Sequence, residues 1–225
     1  MFCRTEIVVG KQNMEKIKNS KILVLGVGGV GGYVVEMLVR LGVENLTIVD
    51  FDKVDKTNIN RQTIAYLSTV GQNKVEIFEK IVRDINPSCR LNSHLCKISG
   101  DNLKDIIDKD FDYVIDAIDD IKAKVEVAKF CYQNNINLIS SMGTGNRYKG
   151  IPQFEVCDIY KTSYDKLAKK LRKLLKDECV EKLQVVYSKQ APEQTESLGS
   201  VVYYPLMCAG TIVSFVANKI FEKEN

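Results

Sequence analysis

The chain has 225 residues, of which 45% are hydrophobic and 27% are charged, and its net charge at pH 7 is +3. This length suits one α/β domain with an elaboration and is enough to bury a sizeable core. The composition is that of an ordinary soluble protein, which excludes a fibrous or a disordered chain. So small a net charge does not by itself indicate a class of partner.

Seven cysteines are present, an odd number, and no two of them form a CxxC pair. No secretory signal precedes the first predicted strand. This pattern is typical of reduced thiols and not of a disulfide framework. We therefore expect a cytoplasmic protein.

The stretch Ser200–Asn218 carries no charged residue and is long enough to be compared with a membrane span. Pro205 and Gly210 interrupt it. Its length and these interruptions favour a buried strand at Val201–Tyr204, followed by a core helix. We therefore predict no membrane span.

A glycine-rich turn between two apolar strands is the most informative stretch. The apolar run Ile22–Leu25 reads as a buried parallel strand. It is followed by Gly26-x-Gly28-Gly29-x-Gly31-Gly32, a helical pattern, and a second strand, Leu46–Val49, that ends at Asp50. Such glycines let the backbone approach a phosphate, which the amides at a helix start can cradle. Asp50 is placed to accept hydrogen bonds from ribose hydroxyls, so the pattern predicts a nucleotide site.

The remaining pattern alternates strands and helices. The predicted strands are Arg90–Ile98, Tyr113–Asp119, Asn137–Ser141, Phe154–Ile159 and Leu183–Ser188. The predicted helices are Lys74–Ile85, Asn102–Lys109, Ile121–Gln133, Tyr164–Glu178 and an apolar last helix. This order predicts an α/β fold with a doubly wound, mostly parallel, Rossmann-like sheet and a C-terminal strand-and-helix elaboration. Ligands of such sheets bind at the carboxyl ends of the strands.

We predict one domain, 1–225, in three parts. An N-terminal arm, 1–20, precedes a nucleotide-binding core, 21–142, and the elaboration on the substrate side covers 143–225. No repeat, low-complexity tract or linker divides the chain.

The residues that follow Asp50 in the sequence indicate which nucleotide binds. Taken alone, the glycine turn favours NAD. However, the single histidine, His94, lies in the middle of a predicted strand, where it is unsuited to acid-base chemistry at a nicotinamide. Arg61 and Lys74 follow Asp50, with Asp119 on a neighbouring strand end, and NAD has no terminal triphosphate to occupy such cations. ATP is therefore the favoured cofactor, and an NAD oxidoreductase is the alternative.

Three motifs follow the glycine turn in order: Asn58-x-Asn60-Arg61-Gln62, Thr69-Val70-Gly71-x-x-Lys74-Val75 and Asp116-Ala117-x-Asp119. Together with the turn they resemble the superfamily of the ubiquitin-activating enzymes and the bacterial sulfur-carrier adenylyltransferases. The resemblance covers residues 4–142. It implies an enzyme that transfers AMP from ATP to a carboxylate and releases pyrophosphate.

The resemblance also implies roles for single residues. Asp50 is expected at the ribose, Asn58, Arg61 and Lys74 at the phosphates, Asp119 on Mg²⁺, and Arg4 in the partner subunit's site of a homodimer. The predicted catalytic set is Arg4, Arg61, Lys74 and Asp119. The other predicted cofactor-binding residues are Gly26, Gly28, Gly29, Gly31, Asp50, Asp52, Asn58 and Gln62. Fixed cations and a metal ion suit this chemistry because pyrophosphate leaves with growing negative charge.

The second half of the chain narrows the resemblance. Ser140-Ser141-Met142-Gly143-x-Gly145-Asn146, Phe154-Glu155-Val156-x-Asp158-Ile159-x-Lys161-Thr162 and Val185-Val186-Tyr187-Ser188 resemble the tRNA threonylcarbamoyladenosine dehydratases. These enzymes use ATP to activate the carboxylate of threonylcarbamoyladenosine, which then cyclises with net loss of water. Ring closure is intramolecular, so no protein nucleophile is required. The zinc-holding CxxC pairs common among the sulfur-carrier enzymes are missing, and we expect no structural zinc.

Two other functions stay open at this point. One is adenylylation of the C-terminal glycine of a small ubiquitin-like sulfur-carrier protein. The other is a non-catalytic nucleotide-binding partner, against which the presence of Arg61, Lys74 and Asp119 argues.

A basic segment, Lys161–Lys176, indicates a nucleic-acid partner. Seven basic residues stand there against one acidic residue, Asp165, a local charge of +6 in a chain whose net charge is +3. A basic helix is often only a solvated face, but beside an ATP site it suits a phosphate backbone. The expected partners are therefore tRNA through this helix, a second copy of the chain, and a sulfur-relay or carrier protein.

Overall fold

The computed structural model describes residues 1–223, and its strands form one sheet. The strands are β1 (Lys21–Leu25), β2 (Asn45–Val49), β3 (Arg90–His94), β4 (Tyr113–Asp116), β5 (Leu138–Ser141), β6 (Phe154–Asp158) and β7 (Gln184–Ser188). Their order is β3-β2-β1-β4-β5-β7-β6, and every pair is parallel except β6 with β7. The predicted fold class, a doubly wound and mostly parallel sheet, is confirmed.

Helices cover both faces of the sheet. They are α1 (Cys3–Val9), α2 (Lys11–Asn19), α3 (Gly31–Leu41), α4 (Lys74–Ile85), α5 (Leu103–Ile106), α6 (Ile121–Gln133), α7 (Lys166–Asp177) and α8 (Tyr203–Phe221). Alternate residues of β1 point to opposite faces: Ile22 and Val24 pack with α3, α4 and α8, and Leu23 and Leu25 pack with α5, α6 and α7. The sheet is therefore buried between two apolar layers, which explains why its central strands read as continuous apolar runs.

Most predicted elements are present, with differences at their ends. Helices α4 and α6 have the predicted bounds. Strand β3 ends at His94 and not at Ile98, because the chain leaves the sheet there, and Cys96–Ile98 instead lines a cleft. Helix α5 has four residues, since Ile107 adopts an extended conformation.

One prediction is wrong: Val201–Tyr204 is not a strand. Val202 already has right-handed helical angles (φ −58°, ψ −38°), and α8 begins at Tyr203. Pro205 therefore lies in the first turn of the helix, where a backbone N–H has no intrahelical partner to lose. The proline starts this helix and does not interrupt it.

Helix α8 is long and apolar enough to cross a bilayer by length and composition, and among the described residues it is the one helix with this property. Half of its most apolar window is buried inside the protein. The buried residues include Tyr204, Cys208, Ile212 and Val216, which pack in the same core as α3. We therefore interpret α8 as a core helix.

Candidate nucleotide-binding site

A cleft of about 990 Å³ lies at the carboxyl ends of the central strands. The turns after β1, β2 and β4 and the loop after β5 line it. Ten of the predicted site residues line it as well: Gly26, Gly28, Gly29, Asp50, Asp52, Asn58, Arg61, Gln62, Lys74 and Asp119. A cavity of about 240 Å³ at Lys21 and Asn45, which begin β1 and β2, contains none of them.

The glycines of the turn have two different functions. A Cβ atom on Gly31 would lie 1.8 Å from the carbonyl oxygen of Gly26, and one on Gly26, where φ is +80°, would lie 2.9 Å from the carbonyl oxygen of Ala117. Gly26 and Gly31 are thus required for the turn itself, and Gly31 is buried beneath the cleft and does not line it. Gly28 and Gly29 line the open side, where a Cβ atom would meet only ordinary contacts.

The backbone amides of this turn are available to a ligand. Within residues 1–223 the N–H groups of Gly28, Gly29 and Val30 donate no hydrogen bond. They precede the first turn of α3, where the helix dipole favours negative charge. The turn therefore presents unpaired donors to the cleft.

Asp50 shapes the turn as well as lining the cleft. Its Oδ2 accepts a hydrogen bond from the N–H of Val27, and its Oδ1 accepts one from the N–H of Asp52, both at 2.8 Å. The side chain is buried. A carboxylate has about four acceptor sites, so two remain for a ligand. The sequence had indicated the ribose role but not this contact with the turn.

Lys74, the first residue of α4, is paired with Asp52. Its Nζ lies 2.8 Å from Asp52 Oδ2, and the lysine side chain is 5% exposed whereas the aspartate side chain is 48% exposed. The backbone N–H of Lys74 also donates to the carbonyl of Asp52. This pair holds a buried ammonium group at the cleft wall, beside the loop that carries Arg61.

Local hydrogen bonds orient the polar loop after β2. Asn58 Oδ1 accepts from the N–H of Asp55, whose side chain in turn accepts from the N–H of Thr57. Hydrogen bonds from Thr57 lower the pKa of Asp55. Arg61 Nη1 donates to the carbonyl of Thr57 at 2.8 Å and to the side chain of Asn60 at 2.9 Å. The guanidinium group is therefore fixed at one edge and keeps its other N–H groups for a ligand.

Gln62 has a buried polar atom without a partner. The residue is 8% exposed, and within the described part of the chain its Oε1 makes no hydrogen bond. A buried acceptor left unpaired costs about 1–3 kcal/mol. Gln62 lines the cleft through its other amide atom, since Nε2 would lie 3.7 Å from a Cβ on Gly28.

Asp119 and Asp120 are neighbours with different surroundings. Asp120 caps α6, accepting from the N–H groups of Lys122 and Ala123, and these bonds, led by the one from Ala123, lower its pKa. Asp119 is exposed at the cleft and makes no hydrogen bond or ion pair within the described structure. Of the two, Asp119 is therefore the carboxylate that is free to bind a ligand.

Arg4 lies outside the cleft of its own chain. It is an exposed residue of α1, and it is not among the residues that line the cavity. Neighbouring apolar side chains on the same short helix are exposed too, Ile7 at 82% and Val8 at 84%. The geometry therefore does not bring Arg4 to the glycine turn within one chain.

Two buried ion pairs beneath the site were not predicted. Lys124 of α6 pairs with Asp116 at 2.9 Å, and Arg147 pairs with Asp165 at 3.3 Å. A lysine on the apolar face of α6, in line with Val127, Ala128 and Cys131, is a signal that could have revealed the first pair. No local pattern marks the second.

Helix α7 carries most of the basic segment on its exposed side. It buries Ala168, Leu171 and Leu175 and exposes its lysines. Arg172 differs from the expectation: it is half-buried, and its Nη1 donates to the carbonyls of Ile159 and Thr162 at 3.4 and 3.1 Å. The basic surface therefore consists of six lysines: Lys161, Lys166, Lys169, Lys170, Lys173 and Lys176. Leu167 of the same helix lines the cleft, so this surface borders it.

The buried cysteines are poorly suited to act as nucleophiles. Burial raises the pKa of Cys208 to about 12, and it raises the pKa of Cys131, with a smaller effect from Asp116, to about 12. Thiols with such pKa values are not ionised at neutral pH.

Within residues 1–223 no cluster of three or more His, Cys, Asp or Glu side chains could hold a metal ion.

The fold and the cleft define a nucleotide-binding α/β protein, and comparison with known proteins identifies its family. Residues 2–218 match the ThiF family. The tRNA threonylcarbamoyladenosine dehydratase of Bacillus subtilis is 43% identical over 192 residues, which cover 85% of this chain and 75% of that protein. The Escherichia coli protein of the same name is 36% identical and is covered to 66% of its length. The crystal structure of the E. coli enzyme in complex with ATP superimposes with a TM-score of 0.92 at 31% identity, over 97% of this chain and 93% of that one.

The chain belongs to the ThiF family, and within it to the group of the tRNA threonylcarbamoyladenosine dehydratases. The resemblance inferred from the motifs is thereby confirmed. The structure of E. coli MccB, at 18% identity and a TM-score of 0.67, shares the fold.

Proposed function

We propose that this protein is an ATP-dependent enzyme that cyclises threonylcarbamoyladenosine in tRNA. The relatives with this activity cover most of the chain, and the E. coli enzyme has been crystallised in complex with ATP. The observation that carries the proposal is the composition of the cleft. Unpaired amides at the glycine turn lie in one cavity with Arg61, Lys74 and a free Asp119.

The cleft supports ATP as the nucleotide. The amides of Gly28, Gly29 and Val30 suit phosphate oxygens, and Asp50 keeps acceptor sites for ribose hydroxyls. We propose that Asn58, Arg61 and Lys74 bind the phosphates, and that Lys74 shares its charge between them and Asp52.

A magnesium ion fits the donor set. Mg²⁺ commonly takes one or two carboxylates together with substrate phosphate oxygens and waters. Asp119, and beside the turn Asp52, are the carboxylates of the cleft wall that can fill this part. The ion would supply charge neutralisation for the leaving pyrophosphate.

The reaction then has two steps. A carboxylate oxygen of the threonyl group attacks the α-phosphorus of ATP, and the bond between the α- and β-phosphates breaks, so that pyrophosphate leaves and an acyl adenylate forms. A nucleophilic atom within the same threonylcarbamoyl group next attacks the acyl carbon, loses its proton to solvent, and displaces AMP. The net result of the two steps is the loss of one water from the nucleoside, coupled to cleavage of ATP into AMP and pyrophosphate. Arg61 and Lys74 act in the first step by stabilising the charge that develops on pyrophosphate.

The remaining assignments are also proposals. We propose that the lysine surface of α7 binds the tRNA backbone, and that the protein acts in the cytoplasm as a homodimer in which Arg4 reaches the partner subunit's cleft. Ile7 and Val8, on the same helix as Arg4, are exposed apolar side chains, which supports burial of this arm against the partner subunit. A sulfur-relay or carrier protein is a further proposed partner. We regard 1–225 as one domain with an arm (1–20), a core (21–142) and an elaboration (143–225), whose last two residues lie outside the described part.

The decisive experiment supplies purified protein with Mg²⁺, ATP and tRNA that carries threonylcarbamoyladenosine. We expect nucleoside mass spectrometry to show loss of one water from that nucleoside, together with stoichiometric AMP and pyrophosphate. NAD in place of ATP should give no product. Unchanged nucleoside, with AMP transferred instead to the C-terminal glycine of a sulfur-carrier protein, would contradict the proposal.

A further inference from the structure

The segment Ser141–Gly145, which is the end of β5 and the loop that follows it, forms part of the cleft wall. All five of its residues line the cavity. Within the described structure the N–H groups of Thr144 and Gly145 and the hydroxyl of Thr144 make no hydrogen bond. The loop therefore contributes two successive unpaired amide donors to the lining of the cleft, in addition to those of the glycine turn. Successive backbone N–H groups of this kind can form an anion-binding concavity.

A buried ion pair holds this loop from behind. The carbonyl of Gly143 accepts a hydrogen bond from Arg147 Nη1 at 2.5 Å, and the N–H of Gly143 donates to Asp165 Oδ2 at 3.1 Å. Arg147 Nη2 lies 3.3 Å from the same Asp165 oxygen. Both polar groups of Gly143 are thus fixed by one ion pair, immediately before the two unpaired amides.

The same pair connects the loop to two other elements. Asp165 Oδ1 caps α7 by accepting from the N–H of Ala168 at 2.9 Å, and Arg147 Nε donates to the carbonyl of Gln190 at 2.9 Å. The Arg147 and Asp165 side chains are only 3% and 2% exposed. A buried ion pair of this kind is weak evidence for stability, but it can specify one local geometry. Here it specifies the position of the loop relative to the lysine-bearing helix.

We propose that Arg147 and Asp165 are positioning residues for catalysis. They hold Gly143 so that the amides of Thr144 and Gly145 receive the carboxyl group of the acyl substrate. This inference rests on the proposed function, because it names the subsite for the carboxylate that ATP activates. In the second step the internal nucleophile adds to the acyl carbon, the carbonyl oxygen becomes an oxyanion, and collapse of this intermediate expels AMP. Amide donors fixed in advance stabilise such an oxyanion more than they stabilise the ground state.

Asp165→Asn is the sharpest test, because asparagine keeps an oxygen that can cap α7 but loses the charge that holds Gly143 and Arg147. We expect kcat for tRNA cyclisation to fall about 10- to 100-fold, less than the about 10²- to 10³-fold that follows complete loss of one oxyanion donor. The Kd for ATP, measured by calorimetry, should stay within about twofold, because the amides of Gly28 and Gly29 are untouched. Arg147→Lys, which keeps the charge but loses the two-pronged contact, should give an intermediate kcat.

A second variant acts on the same contact without changing a charge. In Gly143→Ala the new Cβ would lie 3.3 Å from Asp165 Oδ2, so that the carboxylate must shift by a few tenths of an ångström. It should lower kcat in the same direction. The matched control is Lys149→Gln, which breaks the exposed Lys149–Glu193 pair near the same loop and should leave kcat unchanged.

The outcomes separate this inference from the proposed function. Wild-type protein that cannot cyclise the modified tRNA would disprove the function. Active wild type together with folded Asp165→Asn and Gly143→Ala proteins of unchanged kcat would overturn the positioning role alone. A lower melting temperature with unchanged kcat would likewise assign the ion pair to folding and not to catalysis.

Discussion

Lys124 and Asp116 form an ion pair whose two side chains are each 1% exposed, and the lysine Nζ lies 2.9 Å from the carboxylate. The same Nζ donates to the hydroxyl of Ser140 at 3.0 Å and to the carbonyl of Ser141 at 2.9 Å. All three protons of the ammonium group are therefore used. Asp116 Oδ1 in addition accepts from the N–H of Ile118, in the turn that leads to Asp119. One buried ammonium group thus joins the ends of β4 and β5 below the cleft.

Removing that ammonium group should strongly destabilise the fold. In Lys124→Met the carboxylate of Asp116 would remain buried without its countercharge, which typically costs about 3–5 kcal/mol. Urea denaturation followed by circular dichroism measures the free energy of unfolding. Adding Asp116→Asn to the same chain should recover part of the loss, because no charge is then left unpaired. The control is Lys129→Met on the same helix, which breaks a largely exposed pair with Glu178 at the end of α7 and should change the stability little.

Asp119 and Asp120 should respond in opposite ways to replacement by alanine. Asp119→Ala removes a free carboxylate, so we expect a large loss of kcat and little change in ATP affinity or stability. Asp120→Ala removes the cap of α6 and should cost about 1 kcal/mol of stability. Steady-state assays over a range of Mg²⁺ concentrations, together with thermal unfolding, distinguish the two. Normal ATP turnover by the Asp119→Ala protein would show that this carboxylate is not a metal ligand.

Arg4 should act across a dimer interface. Arg4→Ala and Arg61→Ala proteins are each expected to be inactive, because each composite site lacks one cation. After subunit exchange, a mixed dimer contains one site with both arginines. Mixing should therefore restore activity at one of the two sites in each mixed dimer. Exchange is verified by native mass spectrometry of differently tagged subunits. Demonstrated exchange without recovered activity would place Arg4 in its own subunit's reaction or outside catalysis.

The lysine surface of α7 should determine how tRNA binding depends on salt. Each lysine that neutralises a phosphate releases counterions, and log Kd should change with log salt by about 0.7–0.9 per contact. Reversing Lys169, Lys170 and Lys173 to glutamate should weaken tRNA binding and flatten that slope, with ATP affinity unchanged. The control reverses Lys80, Arg83 and Arg90, three exposed residues on α4 and β3, with the same change of charge. If the two triple variants change tRNA binding and its salt dependence equally, the lysines of α7 are only solvated and tRNA docks on another surface.

Cys131 should make the protein less stable in alkali. Its pKa in the folded state is raised to about 12, chiefly by burial, so the thiol stays protonated in the fold while it ionises in the unfolded chain above about pH 9. The stability that it contributes is therefore complete below pH 9 and is lost as the pH rises from there toward 12. Between pH 8 and pH 10 the wild type should lose about 1.4 kcal/mol more than Cys131→Ala, measured by urea denaturation. Parallel pH profiles would contradict this account.

The sequence predicted the elements whose signals are local. The glycine turn, the bounds of α4 and α6, and the alternation that defines the sheet all follow from spacing within a few residues. It failed at Val201–Tyr204, where β-branched and aromatic residues favoured a strand although Pro205 begins a helix. Propensity is a weak guide where packing against α3 decides the conformation.

The parts of the site that could not be predicted depend on contacts between distant residues. Arg147 and Asp165 are separated by 18 positions and belong to different elements, so no periodic pattern connects them. The contact of Asp50 with Val27 likewise appears only when β1 and β2 lie side by side. Arg172 is one of the basic residues that the sequence assigns to the binding surface, but in the structure its guanidinium group donates to backbone carbonyls.

The turn at Gly26 has a mechanical consequence. Because its missing Cβ would lie 2.9 Å from the carbonyl oxygen of Ala117, two residues before Asp119, the two turns touch backbone to backbone. No side chain intervenes that could change its rotamer and absorb a displacement. A displacement of the glycine turn toward Ala117 therefore acts directly on the turn that carries Asp119, through backbone atoms alone. A larger residue at Gly26 would clash with the backbone of Ala117 and so disturb both turns at once.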